Sequence, residues 1–127
     1  MKIRFQADAD LDPDIWRGLC RREPGIDMEG HIIGGHLGVI PDGTSDPEVL
    51  KLAGDAGRVL ISADVTTMPT HFEQFVERAD SPGLILVPSS RSLSGIIEGL
   101  LLVWREWTPD QLRNQAWWLP HLGDQDK

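Results

Sequence analysis

The chain has 127 residues, 20 acidic against 12 basic, for a net charge of −8. That length suffices for one core without disulfide or metal staples, and the acidic balance excludes a broadly basic nucleic-acid surface. No apolar run reaches the roughly 18 residues of a membrane span, and the single cysteine, Cys20, excludes an internal disulfide.

The N-terminus alternates charged and apolar residues and lacks the apolar middle of an export signal. With one cysteine, this makes a reducing cytoplasm the expected location. One domain over 1–122 with a polar tail at 123–127 is the expected organisation.

Ile3, Phe5 and Ala7 alternate with Lys2, Arg4 and Gln6, a period of two that predicts a strand running into Asp8-Ala9-Asp10. Asp12-Pro13 reads as the N-cap and first position of a helix carrying Ile15, Trp16, Leu19 and Cys20 to about Arg22. Pro24-Gly25 breaks it. Residues 26–33 offer a weak second strand, followed by a glycine-rich loop through Gly43. Ser45-Asp46-Pro47-Glu48 matches a capping box, with Val49, Leu50, Leu52 and Ala53 on one face of a helix ending near Gly57.

Arg58-Val59-Leu60-Ile61-Ser62 is a second β-branched strand, and like the first it leads to an acid, Asp64. Thr70-His71-Phe72-Glu73 is expected to cap a helix running to about Ala79. Ser81-Pro82-Gly83 is a turn, Leu84 to Val87 a buried strand, and Ser92 to about Trp107 a long helix. Thr108-Pro109-Asp110-Gln111 is a third capping box, before a short helix and a last strand at 115–119. Strands alternating with helices predict a mainly parallel sheet with right-handed crossovers, an α/β/α three-layer sandwich.

In open parallel sheets, ligands bind outside the carboxyl ends of the strands, so acids delivered there are candidates for chemistry. Asp8 and Asp10 share a pleat face if the strand continues through them. Carboxylates so close repel, and a hard Mg²⁺ or Mn²⁺ ion relieves that cost. Asp12 is explained by its cap. Ser62, two residues before Asp64, could orient a water or a neighbouring carboxylate; the plain alternative is a polar turn. Asp46 or Glu48 could overhang the same edge, although Glu48 is also what a capping box needs for structure alone.

His31 and His36 lie five apart across glycines and do not form a zinc pair. His71 either assists the acidic site or lies on the surface. Cys20, inside a helical pattern, reads as packing rather than as a nucleophile. Trp104, Trp107, Trp117 and Trp118 crowd the last quarter, pointing to a homodimer or partner surface. Arg91, just before the long helix, could hold a phosphate at that helix's N-terminus.

The lysine-led strand ending in Ala7-Asp8, then Ser45-Asp46-Pro47-Glu48-Val49-Leu50, then Gly57-Arg58-Val59-Leu60-Ile61-Ser62-Ala63-Asp64, resemble the small PIN-like family of predicted toxin–antitoxin nucleases, related to VapC toxins. The resemblance spans roughly residues 2–119 and rests on the order and spacing of three motifs. It implies a PIN-like α/β/α sandwich, Mg²⁺ or Mn²⁺ dependence, RNA cleavage by metal-activated water and a cognate antitoxin protein. Its acids map onto Asp8, Asp46, Glu48 and Asp64, with Asp8, Asp46 and Asp64 as metal ligands. The chain departs from the family where Asp8-Ala9-Asp10 replaces Asp-Glu-Asn, and after Asp64, where Val65-Thr66-Thr67 replaces the usual Asp-Phe.

Three functions follow as expectations. The first is a metal-dependent endoribonuclease of toxin type, with Asp10, Ser62 and Arg91 supporting the acids and Arg17 or Arg21 contacting phosphates, which makes affinity salt-dependent. The second is a catalytically degenerate PIN-like module that binds protein through its tryptophans. The third is a phosphatase or receiver-like protein, since Asp-x-Asp after a first strand begins such folds too. Against it, position 12 is Asp, and no lysine follows the 84–87 strand.

Overall fold

In the computed structural model, residues 2–29 and 43–119 are described. They form strands β1 (Arg4–Ala7), β2 (Asp27–Glu29), β3 (Val59–Ser62), β4 (Leu84–Leu86) and β5 (Ala116–Trp118). The helices are α1 (Pro13–Arg22), α2 (Asp46–Ala56), α3 (Met68–Val76), α4 (Leu93–Glu106) and the single turn α5 (Pro109–Leu112). All four strand pairings are parallel, in the order β2-β1-β3-β4-β5.

Alternation along the strands divides the core in two. Ile3, Phe5, Ala7, Val59, Ile61, Ile85 and Val87 face Ile15 and Leu19 of α1 and Ile96, Leu100 and Val103 of α4. Leu60, Leu84 and Leu86 face Val49, Leu50 and Ala53 of α2 and Phe72 of α3. The sheet is therefore covered on both sides, as a parallel sheet requires, and the expected three layers are present. His31, His36, the glycine-rich loop up to residue 42 and the 123–127 tail lie outside the described residues.

Several helix starts differ from the expectation. Asp12 caps α1 as read, its Oδ1 accepting from Asp14 N–H at 3.0 Å. Ser92 Oγ accepts from Gly95 N–H at 3.1 Å to cap α4. Ser45 precedes α2 but makes no side-chain cap bond. The Thr70 box does not form either: α3 spans Met68–Val76 with Thr67 at its N-cap position, three residues before Thr70. The reason is local. Asp64 Oδ1 accepts from the N–H groups of Thr66 (3.1 Å) and Thr67 (2.9 Å), winding the chain into a turn before the Thr70 pattern begins. At Thr108 the half carried by Gln111 is present, its Oε1 accepting from Thr108 N–H at 2.8 Å.

Two features fix the amino-terminal edge of the sheet. Arg58, its side chain only 9 % exposed, reaches across β1 to β2, donating from Nη1 to Phe5 O (3.1 Å) and Asp27 Oδ1 (2.8 Å). Gly83 enters β4 at φ +130°, where a Cβ would stand 2.5 Å from Leu112 O, so only glycine lets α5 close over the sheet there. No described helix is long and apolar enough to cross a membrane.

Candidate functional site

The chain leaves β1 through α1 on one face of the sheet and leaves β3 through α3 on the other. The order reverses between these neighbours, which opens a crevice beyond their carboxyl ends, the usual ligand position in doubly wound sheets. Asp8 and Asp10 follow β1, and Asp64 follows β3. Asp46 is the first residue of α2.

Asp8 N–H continues the ladder to Ile61 O at 2.9 Å, so strand alternation carries through it. It has the parity of Gln6 and leaves the sheet on the α2/α3 side. Ser62 has the parity of Leu60, leaves on that same side, and its hydroxyl donates to Asp8 Oδ2 at 2.8 Å. Ser62 Oγ in turn accepts from Asp64 N–H at 3.1 Å, tying the β3 exit to the β1 acid. Asp8 Oδ1 accepts from Ala9 N–H at 2.8 Å. Both Asp8 and Ser62 are buried.

Burial pushes the Asp8 carboxyl above its ordinary range, opposed by the Ser62 bond and helped by charge on Asp10 and Asp46. Asp10 is raised as well, first by desolvation and further by Asp64 and Asp46, although its Oδ1 accepts weakly from Ala63 N–H at 3.4 Å. Asp64 is lowered to about 2, chiefly because the Thr67 hydroxyl and N–H and the Thr66 N–H donate to it. Thr67 has a single hydroxyl proton, yet its oxygen meets carboxylate oxygens of both Asp64 and Asp46, the latter at 3.1 Å. His71 Nε2 stands 3.7 Å from Asp46 Oδ2, which brings this histidine to the rim of the acidic group.

The structure thus couples Asp10 to Asp46 and Asp64 and couples Asp8 to Asp10 and Asp46, while Ser62 links Asp8 to the Asp64 backbone and Thr67 stands between Asp46 and Asp64. Glu48, two residues after Asp46 in the first turn of α2, is exposed, and its charge acts on Lys51. Arg91 lines a separate cleft beside Asp10. Arg17 pairs with Asp14 at 3.3 Å, and Arg21 is exposed. Cys20 is half-buried and burial raises its thiol, which keeps it protonated, as packing requires. Trp16, Trp104, Trp107 and Trp117 pack on the core, Trp107 and Trp117 edge to face at 4.9 Å. Trp118 is 40 % exposed.

Sequence reasoning missed Thr67. The Asp-x-Thr-Thr run after β3 is an Asx-turn signal, but its second partner, Asp46, is 21 residues away and is revealed only by the packing of α2 beside α3.

Carboxylate oxygens are the donor type that Mg²⁺ and Mn²⁺ take. Among the described residues, no group of three or more His, Cys, Asp or Glu side chains is placed so that it could hold a metal ion. Mg²⁺ does not need one: it keeps several waters and binds through one or two carboxylates plus substrate phosphates. Asp8 is buried, with the like charges of Asp10 and Asp46 acting on it, and that is the feature of this site with which a cation would be compatible.

Comparison with protein-family models, with curated proteins and with solved structures returned no match.

Proposed function

We propose that the acidic crevice is the active site of a metal-dependent endoribonuclease with a PIN-like fold, acting as the toxin of a toxin–antitoxin pair. The observation that carries the reading is the approach of Asp8, Asp10, Asp46 and Asp64, drawn from three separate segments, to the crevice between β1 and β3. A fold maintains such mutual repulsion at a cost, and an acid raised by burial and like charge is a functional-site signature. The same strand order serves doubly wound folds of many activities, so the function rests on the acids.

Asp8, Asp46 and Asp64 would hold Mg²⁺ or Mn²⁺, with Asp10 the fourth acid at the same opening. When bound, such an ion lowers the pKa of water and offsets charge on a scissile phosphate. Ser62 fixes the Asp8 carboxylate in one orientation. Thr67 Oγ1 stands between the Asp46 and Asp64 carboxylates and can donate its one proton to either. With a net charge of −8, RNA must be engaged locally through cations such as Arg91, and a basic antitoxin segment would suit the crevice in the resting complex.

A second reading has one specific observation behind it. Asp64 is saturated by its own turn, with donors on both oxygens. In a catalytically degenerate module, that turn would be its whole purpose, and the exposed Trp118 would serve protein binding or a homodimer.

The deciding experiment incubates the protein with a mixed RNA pool and Mn²⁺ or Mg²⁺, beside an Asp8→Asn variant and an EDTA control. Cleavage by the native chain alone, abolished by EDTA, supports the nuclease. Equal inertness of both proteins with a partner co-purifying supports the module.

A further inference from the structure

We infer that the cleft beside the acidic crevice is a subsite for one unstacked, amino-bearing nucleobase of single-stranded RNA. Its role next to a scissile phosphate rests on the nuclease reading; the binding itself does not.

The cleft has a volume of about 280 Å³ and lies on the α1/α4 side, across the carboxyl ends of β1, β3 and β4. Ligand pockets span about 300–1,000 Å³, so this one is sized for a single ring system and not for a stacked pair. Leu11, Ile15, Val87, Pro88, Leu93 and Ile96 give it apolar walls. Four of these, Leu11, Ile15, Val87 and Ile96, are buried core residues that hold the walls rigid, whereas Leu93 is 43 % exposed at the lip. Leu93, on the first turn of α4, adds apolar surface at the lip of the slot.

The polar groups lie at the two ends. On the β1 side are the carboxylates of Asp10 and Asp12, and Asp12 Oδ1 already serves the α1 cap. Ionised carboxylates only accept hydrogen bonds. They match the exocyclic amino groups of adenine, cytosine and guanine and oppose the carbonyls of uracil. On the β4 side are Ser89 and Arg91, the guanidinium standing over the first turn of α4, with Nη2 3.5 Å from where a Cβ on Gly95 would be. That end suits the sugar–phosphate. Duplex RNA cannot present a base this way, because sequence-reading of RNA relies on bases splayed out of the stack and held by apolar faces. Asp10 belongs to both openings, so the cleft adjoins the acidic crevice.

The test is methyl NMR of the full chain titrated separately with AMP, CMP, GMP, UMP and inorganic phosphate, without divalent ions. Saturable shifts of the Leu11, Ile15, Val87, Leu93 and Ile96 methyls are expected with AMP, CMP and GMP. UMP should bind at least about fivefold more weakly, and phosphate should leave these methyls unmoved. Leu93→Glu, at an exposed first-turn position that favours an acid, should weaken AMP binding about tenfold without unfolding the protein. Silent methyls, or UMP binding as well as AMP, overturns the subsite. The two readings separate cleanly: cleft shifts without RNA cleavage retain the subsite and remove the hydrolase, and metal-dependent cleavage with silent methyls does the opposite.

Discussion

Ser62 Oγ lies 2.8 Å from Asp8 Oδ2, at the junction of the two central strands, where it also receives the Asp64 N–H. One hydroxyl thus satisfies a buried carboxylate and a backbone donor of the neighbouring strand's exit. Its register follows from parallel pairing of β1 with β3, which sets Ala7 opposite Ile61 and so brings the next residue of each strand to the same edge.

Ser62→Ala leaves Asp8 Oδ2 without its donor and Asp64 N–H without its acceptor at a buried carboxylate. The variant should lose about 1–3 kcal/mol in denaturant unfolding, and the Asp8 carboxyl, tracked by NMR, should titrate at still higher pH. Unchanged stability would show that Ser62 only fills space.

Charge neutralisation at the crevice should stabilise the ion-free protein. Asp10→Asn is expected to raise the melting temperature by about 3 °C at neutral pH. Added Mn²⁺ should raise the native chain's melting temperature and do so less in Asp8→Asn and Asp10→Asn. Calorimetry before and after EDTA checks both. No response of the native protein to either metal removes the cation from the account.

The pH dependence has two opposing parts. Asp8 and Asp10 are raised, so they hold a proton more tightly folded than unfolded; their charge weakens the fold at neutral pH, and that penalty is released as pH falls through their raised values. Asp64 is lowered from 3.8 to about 2, so its contribution is complete above 3.8 and disappears as pH falls from there through about 2. Stability should therefore hold or rise on mild acidification, then drop below about pH 4. A combined Asp8→Asn, Asp10→Asn variant should lose the rise and keep the drop; a monotonic fall from pH 7 in the native chain contradicts the assignment.

Gly83→Ala forces a Cβ into Leu112 O at a φ that side chains avoid. It should cost at least about 2 kcal/mol while leaving the metal response of the remaining folded protein unaltered, because Gly83 lies at the amino-terminal end of β4, away from the acids. Loss of the metal response in this variant would mean that the crevice depends on the far edge.

Local pattern was a good guide to the elements. The strands at Arg4–Ala7, Val59–Ser62 and Leu84–Leu86 alternate or run apolar, as their one-sided or two-sided burial demands. It was a poor guide to helix starts where a side chain had a better partner elsewhere: Thr70 lost its box to the turn around Asp64. Asp8 and Asp64 could be picked out because each follows a strand. Asp10 could not be ranked, since its coupling to Asp46 and Asp64 depends on how α2 and β3 come to lie beside it. Thr67 joins two acids that only the assembled sheet makes neighbours.

Every acid of the crevice precedes residue 65, and the slot beside it takes half its wall from residues 87–96. Separate fragments cut in the turn at Ser81-Pro82-Gly83 would therefore each lack something: one holds the acids without the far wall, the other a greasy ledge with Arg91 but none of the acids. Mixed together, they should reconstitute the binding surface only where β4 re-anneals to β3, so fragment complementation would report directly on sheet assembly.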